Sequence, residues 1–200
     1  MFKVATPPAS EPVTRDEAKL HLRVDSTDED ALIDGMIAAA RQRVEEYTCR
    51  SLITQSLELY LDCFPFSSRS RALPVEQSKS EPYSEILLPR LPVASVTQIS
   101  YADPDTGVMT VLASTEYRVD LVSKPPRVTP EYDKSWPVTR DVTNAVKIEY
   151  VAGYGNAAAV PEVYKIAMKL LLTELYENRS KPNLKVANSL LGPHRVKMYA

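Results

Sequence analysis

Near Leu52 the spacing of apolar residues changes from a period of about 3.6 to a period of 2, and after Gly153-Tyr154-Gly155 the helical spacing returns. That double switch constrains the chain more than any motif in it. A helical period packs one stripe of side chains against neighbouring helices, whereas a period of 2 packs one face of a sheet. Helices, then strands, then helices in one chain of 200 residues imply an α+β protein. We expect a small helical bundle with a mainly antiparallel β-rich insertion between the second and third long helical segments. In residue numbers, 1–50 and 153–200 should form the bundle with a C-terminal tail, and 51–152 the inserted region.

The helical part is read from its start signals. Thr14-x-x-Glu17 is a capping box, in which hydroxyl and carboxylate can satisfy backbone N–H groups at a helix start, with Val13 and Ala18 placed as a hydrophobic staple. A short helix should run from Thr14 to about Leu22. A second begins in the acidic turn Asp28, Glu29 and Asp30, which suits the positive end of a helix dipole. Its apolar residues Leu32, Ile33, Met36, Ile37, Ala40, Val44 and Tyr47 fall on one stripe, predicting a helix to about Cys49, roughly 33 Å long at 1.5 Å per residue. Gly35 within it costs about 1 kcal/mol relative to alanine, which a close helix contact would explain. Pro161 suits a helix start, and Val163, Ile166, Ala167, Leu170, Leu171 and Leu175 predict a third helix to about Arg179, with Met168 and Leu172 widening its apolar face. Met36, Ile37, Val44, Ile166, Leu170 and Leu171 should be mutually buried.

Strands are predicted from Ile53 to Asp62, Glu85 to Leu88, Ser95 to Ala102, Val108 to Leu112, Tyr117 to Val122 and Ala145 to Val151, with Asp103-Pro104-Asp105-Thr106-Gly107 a turn. Residues 64–84 carry prolines, serines and no sustained period, so a long, mobile loop is expected. Its Arg69, Arg71 and Lys79 are candidates to face a neighbour or to meet phosphate transiently, each as a screened surface charge. The tail from Asn183 to Ala200 has scattered apolar residues and little to bury against by itself. It should dock either back on the domain or on another protein, and Leu184, Leu190, Leu191 and Val196, with Arg195 and Lys197 to steer them, are the candidate docking residues.

Chemistry is sparse. His21 and His194 are the only histidines and stand far apart, outside any metal-binding spacing. No GxSxG, GxxxxGK[ST] or GxGxxG occurs, so no cofactor is expected, and Gly153-Tyr154-Gly155 reads as a hinge or turn. Asp25, Asp28, Glu29, Asp30 and Asp34 lack the order of an EF-hand. Cys49 and Cys63 fit no metal or redox motif and are expected to be reduced thiols, consistent with a cytoplasmic setting. The opening residues show no secretory signal, and no run approaches the ~20 apolar residues that span a bilayer. With 24 basic against 26 acidic residues the chain lacks the charge of a nucleic-acid-coating protein. An enzyme and a DNA-binding regulator are both disfavoured. Eleven tyrosines against three phenylalanines suit surfaces that are apolar yet hydrogen-bonding.

An ordered series of segments resembles the adaptor, or head-tail connector, proteins of long-tailed phages and of related gene transfer particles. Pro12-Val13-Thr14-x-x-Glu17-Ala18-Lys19-x-His21-Leu22-Arg23-Val24-Asp25 resembles that family's N-terminal signature, followed by Asp28-Glu29-Asp30-x-Leu32-Ile33 and by Ala38-Ala39-Ala40-Arg41 through Val44-Glu45-x-Tyr47-Thr48. Leu88-Pro89-Arg90-x-Pro92-Val93-x-Ser95-Val96, Tyr117-Arg118-Val119-Asp120, Ser135-Trp136-Pro137, Val146-x-Ile148-x-Tyr150-Val151-Ala152-Gly153-Tyr154-Gly155 and Leu175-Tyr176-Glu177-Asn178-Arg179 continue it. The resemblance implies a non-enzymatic subunit of a homo-oligomeric ring in the virion neck, beneath the portal protein and above stopper or tail-completion proteins. DNA would pass through that ring without sequence-specific binding, with no membrane involved, and the C-terminal tail would dock on the portal. Another neck component, such as a stopper or tail-completion protein, is the alternative.

Overall fold

The computed structural model describes residues 1–65 and 84–196. Arg69, Arg71, Lys79 and Lys197, and most of the expected loop, lie outside the described residues. The chain is α+β and divides into two compact units. One comprises 1–6, 56–89 and 93–151; the other comprises 7–55, 90–92 and 152–200.

The helical unit begins with α1, Arg15–Leu22, where both halves of the capping box form: Glu17 N–H donates to Thr14 Oγ1 at 3.2 Å and Thr14 N–H to Glu17 Oε2 at 2.9 Å. Val13 and Ala18, the staple pair, are both buried. Arg23 ends α1 in the left-handed region at φ 59°, its N–H returning to Leu20 and Lys19 carbonyls. Helix α2 is Asp30–Thr48 and α3 is Glu162–Glu177, each slightly shorter than expected. The buried stripe of α2 is Ile33, Ile37, Ala40, Arg41, Val44, Glu45 and Thr48.

On α3 the buried set is Tyr164, Ala167, Met168, Leu171 and Leu172. The expected burial of Ile166 fails, since it is 49% exposed, and Leu170 and Met36 are only partly buried. The apolar face of α3 is wider than the stripe its neighbours cover, so periodicity alone centred it about one residue too far toward Ile166. Among the described residues the close contact expected at Gly35 is also absent, because none outside the helix lies within 4 Å of where a Cβ would sit.

The tail takes one of its two expected courses. Residues Lys185–Leu191 form α4, which folds back on the unit's own core: Ala187 and Leu191 are buried, and Leu184 and Leu190 pack partly against the same cluster.

In the strand-rich unit the elements are β1 Phe2–Thr6, β2 Gln55–Leu61, β3 Ile86–Leu87, β4 Val93–Ala102, β5 Met109–Val111, β6 Tyr117–Asp120, β7 Arg127–Pro130 and β8 Val146–Ala152. They make a five-stranded sheet in the order β1-β2-β8-β4-β5 and a three-stranded sheet in the order β3-β7-β6. The pairs β1–β2, β4–β5, β3–β7 and β6–β7 are antiparallel. Alternation holds where it is cleanest. Gln55, Leu57 and Leu59 on β2 are buried, as are Val146, Ile148, Tyr150 and Ala152 on β8.

Strands β1 and β7 are additions to the expected set. β1 offers only Phe2 and Val4 as an alternating pair, too few residues for a period to register, and β7 is hemmed by Pro125, Pro126 and Pro130, which argue against a strand.

Candidate assembly surfaces

Among the described residues no group of three or more His, Cys, Asp or Glu side chains could hold a metal ion. Of the acidic residues near the start of α2, Glu29, Asp30 and Asp34 are answered by cations. Lys19 Nζ lies 2.8 Å from Asp30, Arg15 spans Asp30 and Asp34, and Glu29 accepts from Tyr176 Oη and Arg179. Asp34 is accordingly held below the ordinary carboxylate range, first by its hydrogen bond from Arg15. His21 Nε2 lies 3.0 Å from Thr173 Oγ1, and the His194 ring lies edge-on to Tyr164. Cys49 and Cys63 are free thiols.

One buried polar cluster goes beyond the sequence expectations. Buried Glu45 accepts through Oε1 from Leu52 N–H at 2.8 Å and Gln55 Nε2 at 3.1 Å, and through Oε2 from Arg41 Nη1 at 3.0 Å. Arg41 in turn donates from Nε to Glu11 at 2.8 Å. Burial raises the Glu45 carboxyl, while the bonds from Leu52 and Arg41 oppose the rise. The cluster ties the end of α2 to the strand-forming segment after it. Its sequence sign was Arg41-x-x-x-Glu45, an i, i+4 pair indistinguishable from a surface pair until the burial of its face is known.

Residues 90–92 are held to the same helical unit. Ser51 N–H donates to Leu91 O at 2.8 Å, Leu91 N–H to Cys49 O at 3.2 Å, and Gly153 N–H to Pro92 O at 2.8 Å. Gly153 sits at φ 135°, and a Cβ there would fall 2.4 Å from Ile53 O. Gly153 is thus pressed onto backbone, where a side chain has no room.

The candidate docking tail is fastened by polar contacts beyond α4. Asn183 N–H donates to Glu174 Oε2 at 2.9 Å, Arg50 Nε to His194 O at 3.1 Å, and Val196 N–H to Thr48 O at 3.1 Å. The Arg195 guanidinium lies 5.6 Å from the centre of the Tyr47 ring. Arg50 also donates to Tyr154 Oη, next to Tyr164, whose hydroxyl is pushed up by burial and then by Tyr154. Of the predicted docking residues, Leu191 is 1% exposed and therefore closed to a partner in this conformation, Leu184, Leu190 and Val196 are half-buried, and Arg195 is exposed.

The ends of the expected loop meet at one side chain. Phe64 stacks on Trp136 with ring centres 4.7 Å apart and planes within 5°, and Trp136 Nε1 donates to Ser84 O at 2.6 Å. Phe64 is fully buried, so the first residue assigned to the loop is a core residue.

Surface apolar residues remain. An open groove of about 480 Å³ along α2 and α3 is lined by Leu32, Gly35, Met36 and Leu175 among others. Val108, Met109 and Val111 are exposed along β5. Among the described residues no helix is long and apolar enough to cross a membrane.

These features define the class: an α+β protein of two compact units with apolar side chains left on its surface. Residues 13–100 match the model of the phage gp6-like head-tail connector protein family, the family that the sequence resembles. The fold is similar to chains from the neck of an empty gene transfer agent (GTA) particle with C6 symmetry (TM-score 0.77, 22% identity), the virion of a native GTA particle (0.76, 23%) and the neck of a native GTA particle with C12 symmetry (0.73, 23%). Each likeness covers 100% of this chain and 97% of the other. No curated protein matches.

Proposed function

We infer that this chain is a structural head-tail connector, or adaptor, subunit in the neck of a tailed phage or gene transfer particle. The observation that carries the reading is the agreement of two independent likenesses. The connector family model matches 13–100, and the fold follows neck proteins along the whole chain. In this reading the strand-rich unit is an insertion in a helical bundle, and copies form a ring between the portal protein and the stopper or tail-completion proteins. Assembly takes place in the host cytoplasm, and DNA passes through without sequence-specific binding. The balanced charge suits passage without grip. Portal contact through the tail falls to its exposed members, Val186 and Arg195, since Leu191 serves the chain's own core.

Deleting the gene from a particle-producing host tests the reading. Filled heads and separate tails should accumulate, and supplying the chain in trans should restore joined particles. Joined, infectious or transferring particles made without the chain would overturn it.

A further inference from the structure

We propose that β5 of one copy pairs with β1 of the next, so that the five-stranded sheet runs on from subunit to subunit. The inference deepens the connector reading above and rests on it.

The argument starts from the two ends of the sheet. Its order places β1 and β5 at opposite edges, and among the described residues no strand lies beyond either. Successive side chains of a strand point to opposite faces, so a strand covered on one face shows alternating burial. β2 and β8 do so, but β1 and β5 are exposed at every residue. Both edges nevertheless carry apolar side chains: Val4 is 43% exposed on β1, and Met109 and Val111 are 47% and 58% exposed on β5, with Val108 beside them at 63%.

The backbone is poised the same way. Met1 and Tyr60 exchange both N–H···O bonds, which makes theirs a hydrogen-bonded pair of the β1–β2 ladder. By the alternation of antiparallel pairs Lys3 faces β2 as well, while Val4 turns its N–H and C=O outward. On the other edge Leu112 N–H donates to Ile99 O at 2.8 Å and Asp103 N–H to Val108 O at 3.0 Å. Val108, Thr110 and Leu112 therefore bond to β4, and Met109 and Val111 turn their peptide groups to the open side. The stretch Val108 to Leu112 matches β1 in length.

Natural sheets guard open edges with proline, lysine or a covering element, because such edges recruit other strands. Neither β1 nor β5 contains proline, and Lys3 is the sole charge on the two. A second copy is the occupant that the arrangement fits. The two open edges differ, so pairing one with the other is a head-to-tail contact, and head-to-tail contacts generate rings when the rotation closes. Self-pairing of like edges would stop at a dimer, which a ring reading does not permit. Backbone pairing of this kind supplies affinity, and the exposed valine and methionine side chains supply contacts on both faces.

Proline placed at an outward N–H leaves the chain's own ladder whole, so Val4→Pro and Val111→Pro each block one edge selectively. Native mass measurement of the full chain as its concentration rises should show higher oligomers for the unsubstituted protein, and monomers for either variant alone. Mixed together, the two variants retain one good edge each and should form dimers and nothing larger. Circular dichroism of each variant guards against misfolding, and Val4→Lys and Val111→Lys, which keep every backbone group, should behave like the prolines. Oligomers undiminished in the variants, dimers formed by one variant alone, or an unsubstituted chain that stays monomeric throughout would overturn edge pairing. Failure of the connector reading is seen separately, as joined particles made without the chain.

Discussion

Leu191→Ala tests whether the C-terminal helix is part of the fold. The side chain is 1% exposed and belongs to the same buried cluster as Met168, Leu171 and Leu172. Truncation removes three carbons, about 2.4 kcal/mol at ~0.8 kcal/mol per buried CH₂. The cavity left behind adds to this, and the site relaxes only partly, because Asn183 and Val196 remain tied to Glu174 and Thr48 on either side of α4. A loss of roughly 2–5 kcal/mol is expected, a large share of the ~5–15 kcal/mol that typically holds a domain together. Urea unfolding followed by circular dichroism should show the midpoint falling with the slope unchanged, whereas Val186→Ala, at an exposed position of the same helix, should move it little. A Leu191→Ala loss under about 1 kcal/mol would refute the docked α4, and with it the claim that Leu191 is closed to partners.

Glu45→Ala should cost roughly 3–5 kcal/mol by leaving Arg41 buried and unpaired and the Leu52 N–H without its acceptor, again read by urea unfolding. Because burial raises the folded carboxyl above its ordinary 4.5, the Glu45 contribution is present below 4.5 and lost as pH rises through the folded value; Glu45→Gln should remove that slope from unfolding midpoints measured across pH. Asp120 titrates at about 2, lowered first by the Ser123 hydroxyl, so its contribution is present above 3.8 and lost as pH falls through about 2. Carboxyl NMR should find that midpoint, and Ser123→Ala should raise it. Gly153→Ala forces a Cβ onto the Ile53 carbonyl at a positive φ and should destabilise by about 1–3 kcal/mol or more, by the same unfolding assay.

What could be read from the sequence depended on whether a signal was local. The capping box at Thr14 and Glu17, the stripe of α2 and the alternation along β2 are local, and each is found in place. The exposure of Ile166 and the docking of α4 depend on which neighbour covers which face, which a one-dimensional pattern does not carry. The Arg41–Glu45 cluster was hidden for the same reason: charged residues at i, i+4 read as solvated until the helix face is known to be buried. Trp136 shows the complementary case, a motif residue visible in the sequence whose task, joining Phe64 to Ser84, appears only when distant segments meet. The edges β1 and β5 are short and exposed, so neither length nor burial pattern marked them as assembly surfaces.

Cryo-electron microscopy of intact particles, beside particles from the gene-deleted host complemented with an epitope-tagged copy of the chain, tests the connector assignment most directly. The account predicts a ring of this fold between portal and tail, with added density at the tag in that ring alone. A neck lacking this fold, or tag density confined to the capsid shell, the tail tube or the tail tip, would contradict it.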